Sequence, residues 1–262
     1  MSLVESKLDA STGIVTLTIN RPEVLNAIDV PLARALNSAV LALKNDARVR
    51  CVVIRGAGRA FVAGGDLSRF AEDFDRAADV TDELLDALHP VAETLRAIDA
   101  PVVAAVHGAV AGAGLSLMCS CDLAIAAQGT RFLMAYDRVG AAPDFGGTYF
   151  LPRVLGLRRA AQFLFLSETL DTEAALAVGM VNRVVPADQL DAAVDEIAHK
   201  IASGPTRAYG QYKRLADRSF ERKLHDQLEA ERAAFNDATR TEDFREGVGA
   251  FLAKRTPTFK GR

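Results

Sequence analysis

Residues 100–127 read APVVAAVHGAVAGAGLSLMCSCDLAIAA, and the fold class turns on them. APVVAAV is a continuous apolar run of strand length that ends in the small-residue loop HGAVAGAG rather than in a polar turn. Strands buried on both faces read this way, because helices cover both sides of a parallel sheet. A helix is expected to start near Gly112, and CDLAIAA (121–127) then repeats the strand pattern. Upstream, RCVVIRGAG (50–58) is another copy that also closes in glycines. GIVTLTIN (13–20) alternates as a half-buried strand does, before Pro22 breaks it. Helical patterns lie between the strands: one from Pro31 to about Lys44, with Leu32, Leu36 and Val40 on one face, and one over 81–98, where Pro90 is placed to kink or split the run. Strand, loop, helix and strand repeated through residue 150 imply right-handed β-α crossovers. From Leu157 onward apolar positions recur three and four apart, as in helices. The expected organisation is an α/β core over 1–196 and a C-terminal helical region over 197–262.

Composition narrows the function classes. With 31 basic and 34 acidic residues the net charge is -3, so no broad electropositive face for nucleic acid is expected. Cys51, Cys119 and Cys121 are odd in number, sit in apolar runs and lack paired C-x-x-C spacing, so they read as buried thiols and not as a disulfide framework or zinc site. The start MSLVESKLDASTG has no apolar leader core, and no apolar run approaches the ~18 residues a membrane span needs. A cytoplasmic address is the expectation.

Two glycine-rich loops follow the buried strands, RGAGRAFVAGGDL (55–67) and HGAVAGAGLSL (107–117). Neither has the G-x-G-x-x-G spacing of a dinucleotide fingerprint. Small residues do let backbone N–H groups approach a ligand without a Cβ in the way. Two such amides, one of them at a helix start, would make an oxyanion hole. Tight packing of turn on strand explains either loop alone equally well. A third stretch, AAPDFGGTYF (141–150), places the single acid Asp144 between a proline and a Phe-Gly-Gly turn; surface turns also favour Pro, Asp and Gly.

Taken in order, NRPEVLNAI, GAGRAFVAGGDL, PVVAAVHGAVAGAGLSLMCSCDLAIAA, GGTYFLPRVLG, ALAVGMVNRVVP and FREGVGAFLAKRTPTFKGR resemble the enoyl-CoA hydratase/isomerase, or crotonase, family across nearly the whole chain. The resemblance implies a spiral of ββα units followed by helices that trimerise, often as a dimer of trimers, and an acyl-CoA thioester as substrate, with no separate cofactor because coenzyme A is part of that substrate. It implies that the N–H groups of Gly65 and Ala113 hold the thioester oxygen. Leu25, Ala27, Ala63, Gly64 and Asp66 would face the CoA moiety through their backbone. Lys260 of a neighbouring subunit's tail, with Phe259 beside it, would meet its phosphates, with Arg21 and Arg59 as weaker candidates.

The departures carry more information. The two glutamates of the hydratases fall on Ser116 and Tyr136, neither of them a carboxylate, and adding water across a double bond suits a pair of acids. FLMAYDRVGAAPDFGGTYFLPRVLG instead resembles the branch that isomerises unsaturated or ring-epoxide CoA esters, notably the epoxyphenylacetyl-CoA isomerases of phenylacetate breakdown, in which the aspartate of the Pro-Asp turn shuttles a proton. Asp144 is therefore the expected acid and base. Tyr136, Met134, Phe145, Ser116 and His89 are the expected lining of the acyl pocket. Rivals are a hydratase using Asp144 with Tyr136 or a water, an aryl-CoA dehalogenase or thioesterase using His89 with Asp144, and an inert CoA-binding subunit. His107 reads as a turn residue, and Asp122 as a structural hydrogen-bonder.

Overall fold

In the computed structural model, which describes residues 2–262, the strands are β1 (Val4–Asp9), β2 (Ile14–Ile19), β3 (Cys51–Gly56), β4 (Val102–Val106), β5 (Ala109–Ala111), β6 (Leu123–Ala127), β7 (Arg131–Leu133) and β8 (Arg183–Val185). Six of them form one sheet in the order β1-β2-β3-β4-β6-β8, parallel throughout except for β1 against β2. The sequence reading starts the sheet at 13–20. The preceding VESKLD strand is overlooked because five of its six residues are exposed or only half-buried, so it shows no clear apolar alternation. It pairs back on β2 through the Asp9–Gly13 turn, in which Gly13 N–H donates to Asp9 O at 2.8 Å.

Alternation assigns the sheet's two faces. In β3, Val52 and Ile54 join the main core, while Cys51 and Val53 face the opposite side. The main core is covered by α1 (Val30–Leu41) and α3 (Ala77–Ala97), with the short α2 (Ser68–Glu72) between them in sequence. Asp29 caps α1 by accepting from Leu32 N–H at 2.9 Å. Pro90 does not split α3, which runs through it. Leu84, Leu88, Val91 and Leu95 bury a continuous stripe that outweighs the lost backbone bond, a cost of about 3 kcal/mol.

Next come α4 (Ala113–Ser120), α5 (Gly147–Leu155), α6 (Leu157–Phe165), α7 (Thr172–Ala177) and α8 (Leu190–Ala202). The opposite face of the sheet is covered by α8, through Leu190, Ala193, Val194, Ala198 and Ala202. The expected boundary at 196/197 falls inside this helix, which packs on the sheet, and α9 (Thr206–Arg218), α10 (Leu224–Ala238) and α11 (Glu242–Leu252) follow it. Cys51 and Cys121 are buried and Cys119 half-buried, all three free.

A charged cluster locks α9 to the core. Lys213, 3% exposed, donates to Leu95 O at 2.8 Å and Ala100 O at 3.1 Å and pairs with Asp122 at 3.0 Å. Arg96 bridges Asp122 and Asp217. Asp122 also accepts from Val102 N–H, in keeping with its reading as a structural hydrogen-bonder.

A second layer of short pairings crosses the strand ends. β5 pairs with β7 in parallel, and isolated bridges join Ile28 to Gly65, Val62 to Val110 and Phe132 to Leu170. This layer stitches each loop to the next and holds the glycine-rich segments.

Candidate active site

The loop after β3 is fixed before it reaches Gly65. Asn26, fully buried in a left-handed backbone conformation (φ 58°), accepts from Arg21 N–H at 2.8 Å. Its side-chain amide donates to the carbonyls of Ala57, Ala60 and Phe61 at 2.8–3.0 Å. The Leu-Asn-Ala turn is thereby tied to the loop, and three backbone bonds continue the seam: Ala63 N–H to Leu25 O, Ile28 N–H to Gly64 O and Asp66 N–H to Ile28 O. Leu25, Ala27, Ala63, Gly64 and Asp66 thus share one ridge. Sequence reasoning used this turn only for its backbone; the asparagine that holds it was legible as the polar residue inside VLNAI.

The second glycine loop meets the first at close quarters. Gly112 (φ 49°) precedes α4, and a Cβ built on it would lie 3.5 Å from Gly64 Cα and 4.0 Å from the Tyr136 ring. Gly112 N–H donates to Leu133 O and Ala111 N–H to Val62 O. By contrast, the N–H groups of Gly65 and Ala113 donate to no protein acceptor among the described residues. Ala113 opens α4, where the first-turn amides lack intrahelical partners and carry the positive end of the dipole. A Cβ at Gly65 would meet nothing within 4 Å, so this residue borders open space. Two adjacent unpaired donors of this kind can hold one developing oxyanion.

Asp144 is attached to the same helix. Ser116, three residues beyond Ala113 and so on the same side of α4, donates its hydroxyl to Asp144 O at 3.0 Å, and Gly147 N–H donates to that carbonyl at 2.8 Å. Phe145 (φ 47°, 1% exposed) and Gly146 (φ 81°) turn the chain sharply after it. A Cβ at Gly147 would stand 2.8 Å from Ser116 Oγ and so would push aside the hydroxyl that holds this turn. The expected pocket residues Met134, Tyr136 and Phe145 are all buried around this turn.

The Asp144 carboxyl accepts a hydrogen bond at Oδ1 from the Tyr136 hydroxyl. Burial drives its pKa above the ordinary carboxylate range; the Tyr136 bond, its own backbone and the charge of His89 oppose this only in part. The Tyr136 phenol is pushed up as well, first by burial and then by the neighbouring carboxylate. His89 lies on the solvent-exposed part of α3, within electrostatic reach of Asp144 but not in hydrogen bond with it. Ser116 is not an open pocket wall, since it is spent holding the turn.

The expected phosphate contacts divide. The Arg21 side chain pairs with Asp66 at 2.7 Å and Asp29 at 3.3 Å and donates to Ala27 O, so it braces the ridge and is not a free cation. Asp66, whose pKa is lowered by Ser68 and by Arg21, is likewise engaged. Arg59 is exposed. In its own chain the tail lies elsewhere: Lys260 N–H and Gly261 N–H donate to the Asp243 carboxylate, and Phe259 packs near Gly247 of α11. Arg50, just before β3, reaches Gly204 O and Phe259 O. Phe259 and Lys260 therefore stand by the start of β3, whereas Gly65 lies beyond its end. Among the described residues there is no group of three His, Cys, Asp or Glu able to hold a metal ion, and no helix long and apolar enough to cross a membrane.

Residues 9–262 match the family model described as enoyl-CoA hydratase/isomerase. The chain belongs to this family. The 1,2-epoxyphenylacetyl-CoA isomerase of Escherichia coli K12 is 38% identical over 251 residues, covering 95% of this chain and 96% of that protein. A short-chain-enoyl-CoA hydratase of Clostridium acetobutylicum is 32% identical over 257 residues, covering 97% of both. The crystal structure of an enoyl-CoA hydratase from Polaromonas sp. JS666 superposes with a TM-score of 0.92 at 33% identity, covering 98% of this chain and 99% of that one. The enoyl-CoA hydratase/isomerase (crotonase) fold is thus established for the chain.

Proposed function

We propose that the protein is an acyl-CoA isomerase that moves a double bond from the 3,4 to the 2,3 position of an acyl-CoA thioester, or rearranges a ring epoxide conjugated to one. In this reading the N–H groups of Gly65 and Ala113 hold the thioester oxygen. That makes the C2 proton more acidic and stabilises the enolate formed when it leaves. Asp144 takes the proton from C2 and returns it at C4, so one carboxyl serves as base and then as acid. The observation that carries the reading is the half-buried Asp144 carboxyl, its pKa raised by burial, hung from the first turn of α4, with Ser116 and Tyr136 where a hydratase would need two acids. The 38% identity to an epoxyphenylacetyl-CoA isomerase supports the same branch.

A hydratase reading has its own support in the hydratase relatives; there Asp144 and Tyr136 would together activate and protonate around a water. Assembly is proposed to be trimeric through the C-terminal helices. Phe251, Leu252 and Phe235 are exposed there, and an apolar cleft of ≈ 380 Å³ opens between α9, α10 and α11. Incubation with 3-hexenoyl-CoA, followed by the ultraviolet absorbance of the conjugated thioester, is expected to show turnover. Water uptake by 2-hexenoyl-CoA without any such conjugation, or release of free CoA, would replace the isomerase assignment. Absence of turnover across straight-chain and phenylacetyl-derived esters would leave a CoA-binding subunit.

A further inference from the structure

The two oxygens of Asp144 are not equivalent. Oδ1 accepts the Tyr136 hydroxyl, whereas Oδ2 accepts from no other residue among the described residues. Tyr136 is itself held in place. It is 9% exposed, it follows Ala135 in a left-handed conformation (φ 63°), and its ring edge lies beside Gly112 at the start of α4. The phenol therefore touches both the oxyanion loop and the acid, and it reaches Asp144 from a different segment than the one that carries Asp144.

We propose that Tyr136 is a positioning residue for Asp144, its hydroxyl holding Oδ1 so that Oδ2 alone receives and returns the proton. The proposal rests on the isomerase reading of this site and specifies how its one acid is aimed. In the first half-step the C2–H bond breaks, its electron pair enters the enolate, and the proton forms the Oδ2–H bond. In the second that bond breaks and the C4–H bond forms, so atoms and charge balance without a co-reactant. Tyr136 keeps its own proton throughout, because burial and the adjacent carboxylate hold the phenol neutral over the range in which Asp144 titrates. The titratable groups acting on Asp144 are Tyr136 from the turn and His89 from α3; α4 contributes the neutral Ser116 and α5 the backbone of Gly147. With Asp144 buried, the Tyr136 bond favours the ionised form from which the reaction starts.

The test compares wild type with Tyr136→Phe, which keeps the ring and removes only the donor. In pH-difference infrared spectra of the ligand-free protein, the neutral carboxyl band of Asp144 is identified by its loss in Asp144→Asn. Its midpoint is expected to rise by roughly one pH unit in Tyr136→Phe. With 3-hexenoyl-CoA, the acid limb of the kcat/KM profile should move upward by the same amount and kcat should fall about tenfold at unchanged KM. An unmoved midpoint, or a change in KM alone, overturns the proposal, the latter by showing that the phenol addresses the substrate. A wild-type protein that fails to conjugate 3-hexenoyl-CoA, with the infrared midpoint still displaced in the variant, refutes the isomerase reading and leaves the Tyr136 assignment standing.

Discussion

Asp122 and Asp144 sit at opposite ends of α4, and both have carboxyls largely withdrawn from solvent. Asp122 is met by two cations and a backbone amide: Arg96 at 2.7 Å, Lys213 at 3.0 Å and Val102 N–H at 2.8 Å. Asp144 has one neutral phenol from another residue on its side chain, and its other bonds to neighbouring residues run through its backbone carbonyl. The first arrangement ties α3, β4 and α9 together through one carboxylate. The second leaves a carboxyl whose charge is poorly compensated, so that gaining a proton is inexpensive. Burial is common to both, and the partners decide which carboxyl becomes a brace and which is left with its charge poorly compensated.

That contrast can be broken from either side. The largest effect is expected at the brace. Lys213→Met should lower unfolding free energy by about 3–5 kcal/mol in denaturant titrations, because the Asp122 carboxylate loses one of its two cations in a buried setting. A loss well under 1 kcal/mol would show that Arg96 alone suffices. At Asp144 the stability and activity effects should separate. Asp144→Asn is expected to reduce turnover of 3-enoyl-CoA at least about a hundredfold while leaving CoA-ester affinity and the circular dichroism spectrum unchanged. Full turnover in that variant would remove Asp144 from the chemistry.

The smallest effect concerns stability against pH. The folded pKa of Asp144 is raised, so its stabilising contribution is complete below the unfolded carboxylate pKa and is lost as pH rises through the folded value. At neutral pH the ionised side chain is therefore a slight burden. Asp144→Asn should melt about 1–2 °C higher than wild type at pH 7, with the gap closing toward acid. An unchanged or lower melting point at pH 7 would contradict the burial argument.

The parts legible in sequence were those with a local physical signature. The buried strands β3, β4 and β6 announce themselves as apolar runs ending in small residues, and Asp144 stands out as an acid in an apolar turn. β1 was missed because its side chains are mostly exposed, so only the register with β2 reveals it. The core boundary was set inside α8 because helical periodicity cannot say which helix covers the second face of a sheet. Arg21 looked free because its partners, Asp29 and Asp66, come together only when the Leu-Asn-Ala turn meets the loop after β3. Tyr136 and Asp144 are eight residues apart, and no helical or strand spacing relates them; the link is made by the left-handed bend at Ala135 and the folding back of the Pro-Asp turn.

The bend at Phe145 and Gly146 has a bearing on how this scaffold can change its chemistry. The loop is shaped by two left-handed residues and by grips on a main-chain carbonyl, and none of that depends on which side chain residue 144 bears. Position 144 is in effect a socket whose fitting can be exchanged while the socket keeps its shape. A short amide, a longer acid or a thiol placed there would face the same two unpaired N–H groups of Gly65 and Ala113 from the same direction, which, on the proposed reading, makes this the natural point at which to redirect the chemistry.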